Sequence, residues 1–197
     1  MTAYGAVKHQ AQVEPAEIVA VVGVGGVGSN VVQIARLFGA SQVIAVDVRD
    51  DKLDAVRRLG ATHVVNAARS DPVEQVLALT NRRGVDVAIE ALGRPETVVH
   101  AFMMTRDGGR TVVIGIAAGQ AAAPIEVTRL VRRGIRLSGS YGCRVRTDMP
   151  DILRLAATGQ INVSQPITRR YTLEETDQAY QALNRGEILG RAIVVME

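Results

Sequence analysis

Gly23, Gly25 and Gly28, followed 19 residues later by Asp47, are the residues of this chain whose types and spacing can do chemistry. That chemistry is the gripping of two linked phosphates and one sugar. The run Gly23-Val24-Gly25-Gly26-Val27-Gly28 follows an apolar stretch, Ile18 to Val22, and opens an amphipathic one. In such a turn the first glycine lets the chain bend tightly out of a strand. The second leaves no side chain in the way of a pyrophosphate, and the third lets the following helix approach the sheet. The start of that helix aims unpaired N–H groups and a positive dipole end at the phosphates. Asp47 ends a second apolar stretch, where a carboxylate can accept hydrogen bonds from ribose hydroxyls. A glycine turn by itself reads equally well as a plain tight bend. Strand, glycines, helix, strand and acid in that order favour a dinucleotide site.

These residues need a frame, and the rest of the chain supplies one. Apolar periodicity predicts strands at Ile18–Gly23, Gln42–Asp47, His63–Asn66, Val85–Glu90, Arg110–Gly115 and Ile135–Gly139. Helices are predicted between them: Gly26–Phe38, with Val27, Val31, Ile34, Ala35 and Phe38 on one face, then Asp51–Leu59, a helix capped by Asp71 with Pro72 in its first position, and Pro95–Met104. Residues 117–124, rich in Ala and Gly, read as a loop. Beyond Gly142 come a helix at Asp148–Thr158, an extended stretch at Gln165–Arg170, a helix to Asn184 with Thr172 and Glu175 as its capping box, and a last strand at Arg191–Met196. Strands alternating with helices imply parallel pairing with right-handed crossovers. Strands that are apolar throughout imply a sheet covered on both faces. The expected fold is α/β: a Rossmann doubly wound parallel sheet in the order 3-2-1-4-5-6, with helices on both faces.

Composition narrows the function. The 197 residues carry 23 Lys and Arg against 20 Asp and Glu, a mild excess of +3. The arginines are dispersed, Trp is absent and aromatics are only 3%, so neither a basic stripe nor a stacking platform for nucleic acid is present. Cys143 stands alone, which rules out an intrachain disulfide framework and a multi-cysteine zinc site. His9, His63 and His100 lack a ligand spacing and read as surface or packing residues. No secretory leader or bilayer-spanning run is seen, so a cytoplasmic protein without membrane or nucleic-acid partners is expected.

From Thr2 to its end the chain resembles the coenzyme-binding half of the medium-chain, zinc-type alcohol dehydrogenases. The marks are Thr2-Ala3-Tyr4, the glycine run 23–28, Ala45-Val46-Asp47, Leu59-Gly60-Ala61-Thr62, Gly84-Val85-Asp86, Glu90-Ala91-Leu92-Gly93, Gly108-Gly109-Arg110, Val113-Ile114-Gly115, Gly139-Ser140-Tyr141-Gly142 and Gly190-Arg191-Ala192. The resemblance implies cofactor contacts from Gly23, Gly25, Gly26, Val27 and Gly28. At the adenosine ribose it implies Asp47 with its neighbour Val48, and Lys52. Near the nicotinamide it implies Leu92 and Gly93, with Arg94 beside them, then Ile114, Gly115 and Ile116, and Ser140 and Tyr141. At the pyrophosphate it implies Arg191. Asp47 favours NAD over NADP, because a carboxylate repels a 2′-phosphate; Arg49, close by, could accept one but reads better as a solvated turn residue.

The resemblance also says what to expect elsewhere. The family's barrel-like (GroES-like) domain, which carries most zinc ligands and the proton relay, has no counterpart in residues 1–197. The chain therefore reads as one coenzyme domain, with residues 1–17 a leading helix and linker. It is expected to contain neither a catalytic residue nor a metal ligand, zinc belonging only to a full-length parent. The reaction implied is hydride transfer between an alcohol or carbonyl compound and nicotinamide, with the isolated chain inactive. Two alternatives stand beside it. One is an NADPH-dependent quinone or enoyl reductase domain, against which Gly23 and Asp47 argue. The other is a non-catalytic NAD(H)-sensing module. A homodimer through the sheet edge near residues 122–138 is a further expectation.

Overall fold

Alternating residues of each apolar run face opposite sides of one sheet, and both sides are covered. In the computed structural model, which describes residues 1–196, the strands are β1 (Ile18–Val22), β2 (Gln42–Asp47), β3 (His63–Asn66), β4 (Val85–Glu90), β5 (Thr105–Val113) and β6 (Arg136–Gly139). Their order is β3-β2-β1-β4-β5-β6, and every adjacent pair is parallel. The expected doubly wound topology is the one observed.

Val19, Val21, Val43, Ala45, Val87 and Ile89 point into one core, shared with α2 (Gly28–Leu37) and α3 (Asp50–Arg57). Ala20, Val22, Ile44, Val46 and Ala88 point into the other, shared with α4 (Pro72–Leu79) and α5 (Pro95–Met104). A strand's two-residue period splits each run between two cores, which is why the runs contain so few polar residues. Asp71 caps α4 as expected, its carboxylate accepting from the N–H groups of Val73 and Glu74.

Several boundaries differ from expectation, each for a local reason. α2 begins at Gly28 rather than Gly26, because Gly26 and Val27 are still turning out of β1. β5 begins at Thr105 rather than Arg110; its first residue pairs with Val85 before the register shifts. A short helix, α6 (Val127–Arg132), fills part of the segment between β5 and β6 and was not anticipated. Residues 2–13 form a leading helical segment that packs into the core. α1 (Thr2–Gly5) runs into a π-helical turn (Ala6–Ala11), and Tyr4, Val7 and Val13 are buried in the first core. The Tyr4 ring meets Phe38 of α2 edge-on, with centroids 5.8 Å apart.

After α7 (Val145–Ala157) the chain leaves the sheet. β7 (Ile167–Tyr171) and β8 (Arg191–Val194) pair in parallel only with each other, joined by α8 (Thr176–Asn184). β8 ends at Val194, before the expected Met196. The Thr172–Glu175 capping box is half formed. Glu175 accepts the N–H of Thr172 at 2.9 Å, but residues 173–175 form a turn, and the helix starts only at Thr176.

Candidate functional site

The glycine turn is shaped from both sides. Gly23 donates its N–H to the Val46 carbonyl at 2.8 Å. It turns with φ +85°, a conformation that strains any other residue. A Cβ on Gly28 would run into the Gly23 carbonyl oxygen. A Cβ on Gly26 would lie 2.6 Å from Nε of Arg191 and 2.8 Å from the Gly190 carbonyl. Around Gly25 there is nothing within 4 Å. The N–H groups of Gly25, Gly26, Val27 and Gly28 have no acceptor among the described residues. Four donors without acceptors lie at the positive end of α2, with open space beside Gly25, an arrangement that fits a pyrophosphate.

Asp47 ties this turn to the next. Its Oδ2 accepts the N–H of Val24 at 3.0 Å, and its Oδ1 accepts those of Val48 at 2.8 Å and Arg49 at 3.2 Å. The residue is buried. Each carboxylate oxygen has two lone pairs, so Oδ2 retains one for a sugar hydroxyl. Val48 is exposed beside it. Lys52 lines a small cavity of about 100 Å³ together with Val24, Ser29 and Gly190. The Arg49 guanidinium is held by Asp51 and by the Gly186 carbonyl between α8 and β8.

Glu90 was not recognised from the sequence as a functional residue. It ends β4 beside Val22, the last residue of β1, and is fully buried. Its Oε1 accepts the N–H groups of Leu92 at 2.8 Å and Gly93 at 2.9 Å, and the Thr97 hydroxyl at 2.7 Å. Oε2 has no partner among the described residues. The turn held in this way presses against the next one, since a Cβ on Gly93 would meet the backbone of Ile116. The signal for Glu90 was its position: an acid closes β4 as Asp47 closes β2.

Gly25, Gly26, Val27, Leu92 and Arg191 line one cleft of about 450 Å³. Lys52 lies in the neighbouring cavity, and Gly190 borders both. The cleft's far wall is α8 and β8, including Tyr180 and Leu183, which the sequence reading did not place at the site. The remaining predicted residues stand further along the same carboxyl-end rim. Ile114, Gly115 and Ile116 follow β5, and Ser140 and Tyr141 follow β6, two strands from β4. Ile114 and Ser140 are buried, whereas Ile116 and Tyr141 are exposed. Arg191 reaches the turn itself, its Nε donating to the Gly26 carbonyl at 3.3 Å.

The described residues bring no three His, Cys, Asp or Glu side chains together as a metal-holding group. They do not fit a catalytic zinc, which takes about three protein ligands. His9 binds Asp148 instead, with Nε2 at 2.9 Å from Oδ1, and Cys143 lies against Gly5. No helix among the described residues is long and apolar enough to cross a membrane.

Comparison with known proteins places the fold in a family. Residues 26–158 match the family model described as zinc-binding dehydrogenase. Sorbitol dehydrogenase of Bacillus subtilis (strain 168) is 31% identical over 170 residues, which is 86% of this chain and 47% of that one. The crystal structure of benzyl alcohol dehydrogenase from Acinetobacter calcoaceticus superposes with a TM-score of 0.94 at 29% identity, covering 100% of this chain and 54% of that one. A zinc-binding dehydrogenase from Sinorhizobium meliloti 1021, solved bound to NADP, superposes with a TM-score of 0.84 at 30% identity, covering 90% of this chain and 52% of that one. The chain thus spans about half the length of the relatives it matches. It belongs to the zinc-binding dehydrogenase family, as a Rossmann-type, coenzyme-binding domain of the medium-chain alcohol dehydrogenase-like oxidoreductases.

Proposed function

We propose that this chain binds NAD(H), and that in a whole zinc-type dehydrogenase it holds the nicotinamide that exchanges hydride with an alcohol or carbonyl compound. One observation carries the reading: the N–H groups of residues 25–28 lack acceptors among the described residues, at a helix start with open space beside Gly25. The bound nicotinamide would supply the hydride donor or acceptor. The residues of this chain bind and orient it. The glycine turn holds the pyrophosphate with Arg191 at its side, Asp47 and Lys52 hold the adenosine ribose, and the turns after β4, β5 and β6 form the nicotinamide end. NAD is favoured over NADP because Asp47 places a carboxylate where a 2′-phosphate would go. The described residues assemble no zinc-ligand set, so the 197 residues alone are expected to bind the dinucleotide without oxidising an alcohol.

The test is a fluorescence titration with NADH and NADPH. NADH should bind the more tightly, and Asp47→Gly should narrow or reverse the difference. Equal affinities in the parent chain would overturn the choice of NAD. Failure of both to bind would overturn the dinucleotide reading altogether. Added zinc and ethanol with NAD should give no turnover.

A further inference from the structure

Arg49 is the one cation of the β2–α3 turn, and it is not free. Its backbone N–H lies on Asp47, so its side chain departs from the very corner that reads the ribose. The side chain is then taken up by two partners. Nε donates to Asp51 Oδ1 at 3.0 Å, Nη2 donates to Asp51 Oδ2, and Nη1 donates to the Gly186 carbonyl. Asp51 is itself oriented by the N–H of Lys52, 2.8 Å from its Oδ1. The two-point pair uses the fork geometry that a guanidinium would otherwise offer to a phosphate. Each partner shifts the other in the direction of a formed ion pair. The hydrogen bond from Arg49 holds the Asp51 carboxyl below its ordinary range, and the bond to Asp51 raises Arg49.

We propose that Asp51 is a specificity-determining residue, which occupies the Arg49 guanidinium and so denies a 2′-phosphorylated dinucleotide its only arginine in this turn. The inference rests on the dinucleotide reading above and deepens it. Two carboxylates then reject the 2′-phosphate by different means: Asp47 by direct repulsion and Asp51 by holding the arginine that would compensate for it. The pair is half-exposed, and such pairs are weak. Its removal should therefore shift the balance between cofactors without inverting it.

The experiment is a double-mutant cycle read by titration with NADH and NADPH. The variants are Asp51→Asn, Arg49→Ala and the two together, each checked for an unchanged thermal melt. In Asp51→Asn the ratio of the NADPH to the NADH dissociation constant should fall by about three- to fivefold, the size of one half-exposed ion pair. In the Arg49→Ala background the same change should move the ratio by less than about 1.5-fold, since the pair it would break is already gone. An unchanged ratio in Asp51→Asn would overturn the proposal. So would an equal fall with and without Arg49, which would assign the effect to the lost charge alone. If the parent chain binds neither nucleotide, the dinucleotide reading itself fails, and this inference falls with it.

Discussion

Two glycines in one turn should behave oppositely when given a side chain. Gly25 faces open space, so Gly25→Ser should leave stability within about 0.5 kcal/mol of the parent. The same change fills the space beside the free N–H groups and should weaken NADH binding at least about tenfold. Gly28 faces the Gly23 carbonyl. There Gly28→Ala should lower stability by about 1–3 kcal/mol through overpacking, before any effect on binding is considered. Urea unfolding and NADH titration of both variants would separate the roles. A Gly25→Ser chain that binds NADH like the parent would exclude the turn as a phosphate cradle. Glu90 is the third residue of interest. Glu90→Leu removes the acceptor of three donors and should cost about 1–3 kcal/mol in urea unfolding, because the N–H groups of Leu92 and Gly93 would be left unpaired, while the Thr97 hydroxyl keeps the Arg94 carbonyl at 2.9 Å.

At the scale of elements, the leading segment and α7 are fastened by charge. His9 of the π-helical turn binds Asp148, and Lys8 binds Asp151 at 3.0 Å. Burial opposes the charged form of Asp148. The bond from His9, the N–H of Arg144 at 2.8 Å and the nearby charges outweigh that and hold its carboxyl below the usual range. An acid whose folded pKa is depressed stabilises the fold above its unfolded value of about 4. That contribution is lost as pH falls through the lower folded value. Asp148→Asn should therefore melt below the parent at pH 6, and the two melting temperatures should converge as pH drops below about 3.5. A gap that stays constant with pH would assign the contribution of Asp148 to packing.

For the whole molecule, two unlike surfaces are left uncovered. β6 forms one border of the main sheet, and beside it Val127, Val131 and Leu137 are exposed. An unpaired strand edge with apolar neighbours is a template for a second strand. The chain is predicted to self-associate there. Sedimentation velocity should show a concentration-dependent dimer, and Leu137→Lys should shift it toward monomer. A parent chain that stays monomeric at about 100 μM would reject this interface. The other surface is the cleft wall made by α8, where Tyr180 and Leu183 are exposed.

The six strands, their parallel order, the glycine turn and the acid after β2 were legible in the sequence. Each is written in consecutive residues: an apolar run, a helical period or a six-residue fingerprint followed by a carboxylate at a set distance. The exceptions depend on partners far away in the chain. Gly26 is confined by Arg191, 165 residues later. His9 finds Asp148 across 139 residues, and Gln33 finds Asn162 across 129. Arg49 was ambiguous because its two possible roles share one sequence, and only the fold shows its guanidinium spent on Asp51 and Gly186. Glu90 looked like the last residue of an apolar strand until the turn beyond it folded back onto its carboxylate. β7 reads as extended and β8 as a strand, but no local pattern says which strand another will pair with, and tertiary packing set them in a sheet of their own. Local periodicity chooses the elements and the backbone of the phosphate turn. The direction of each charged side chain around that turn is decided by which distant group lies within reach once the chain has folded.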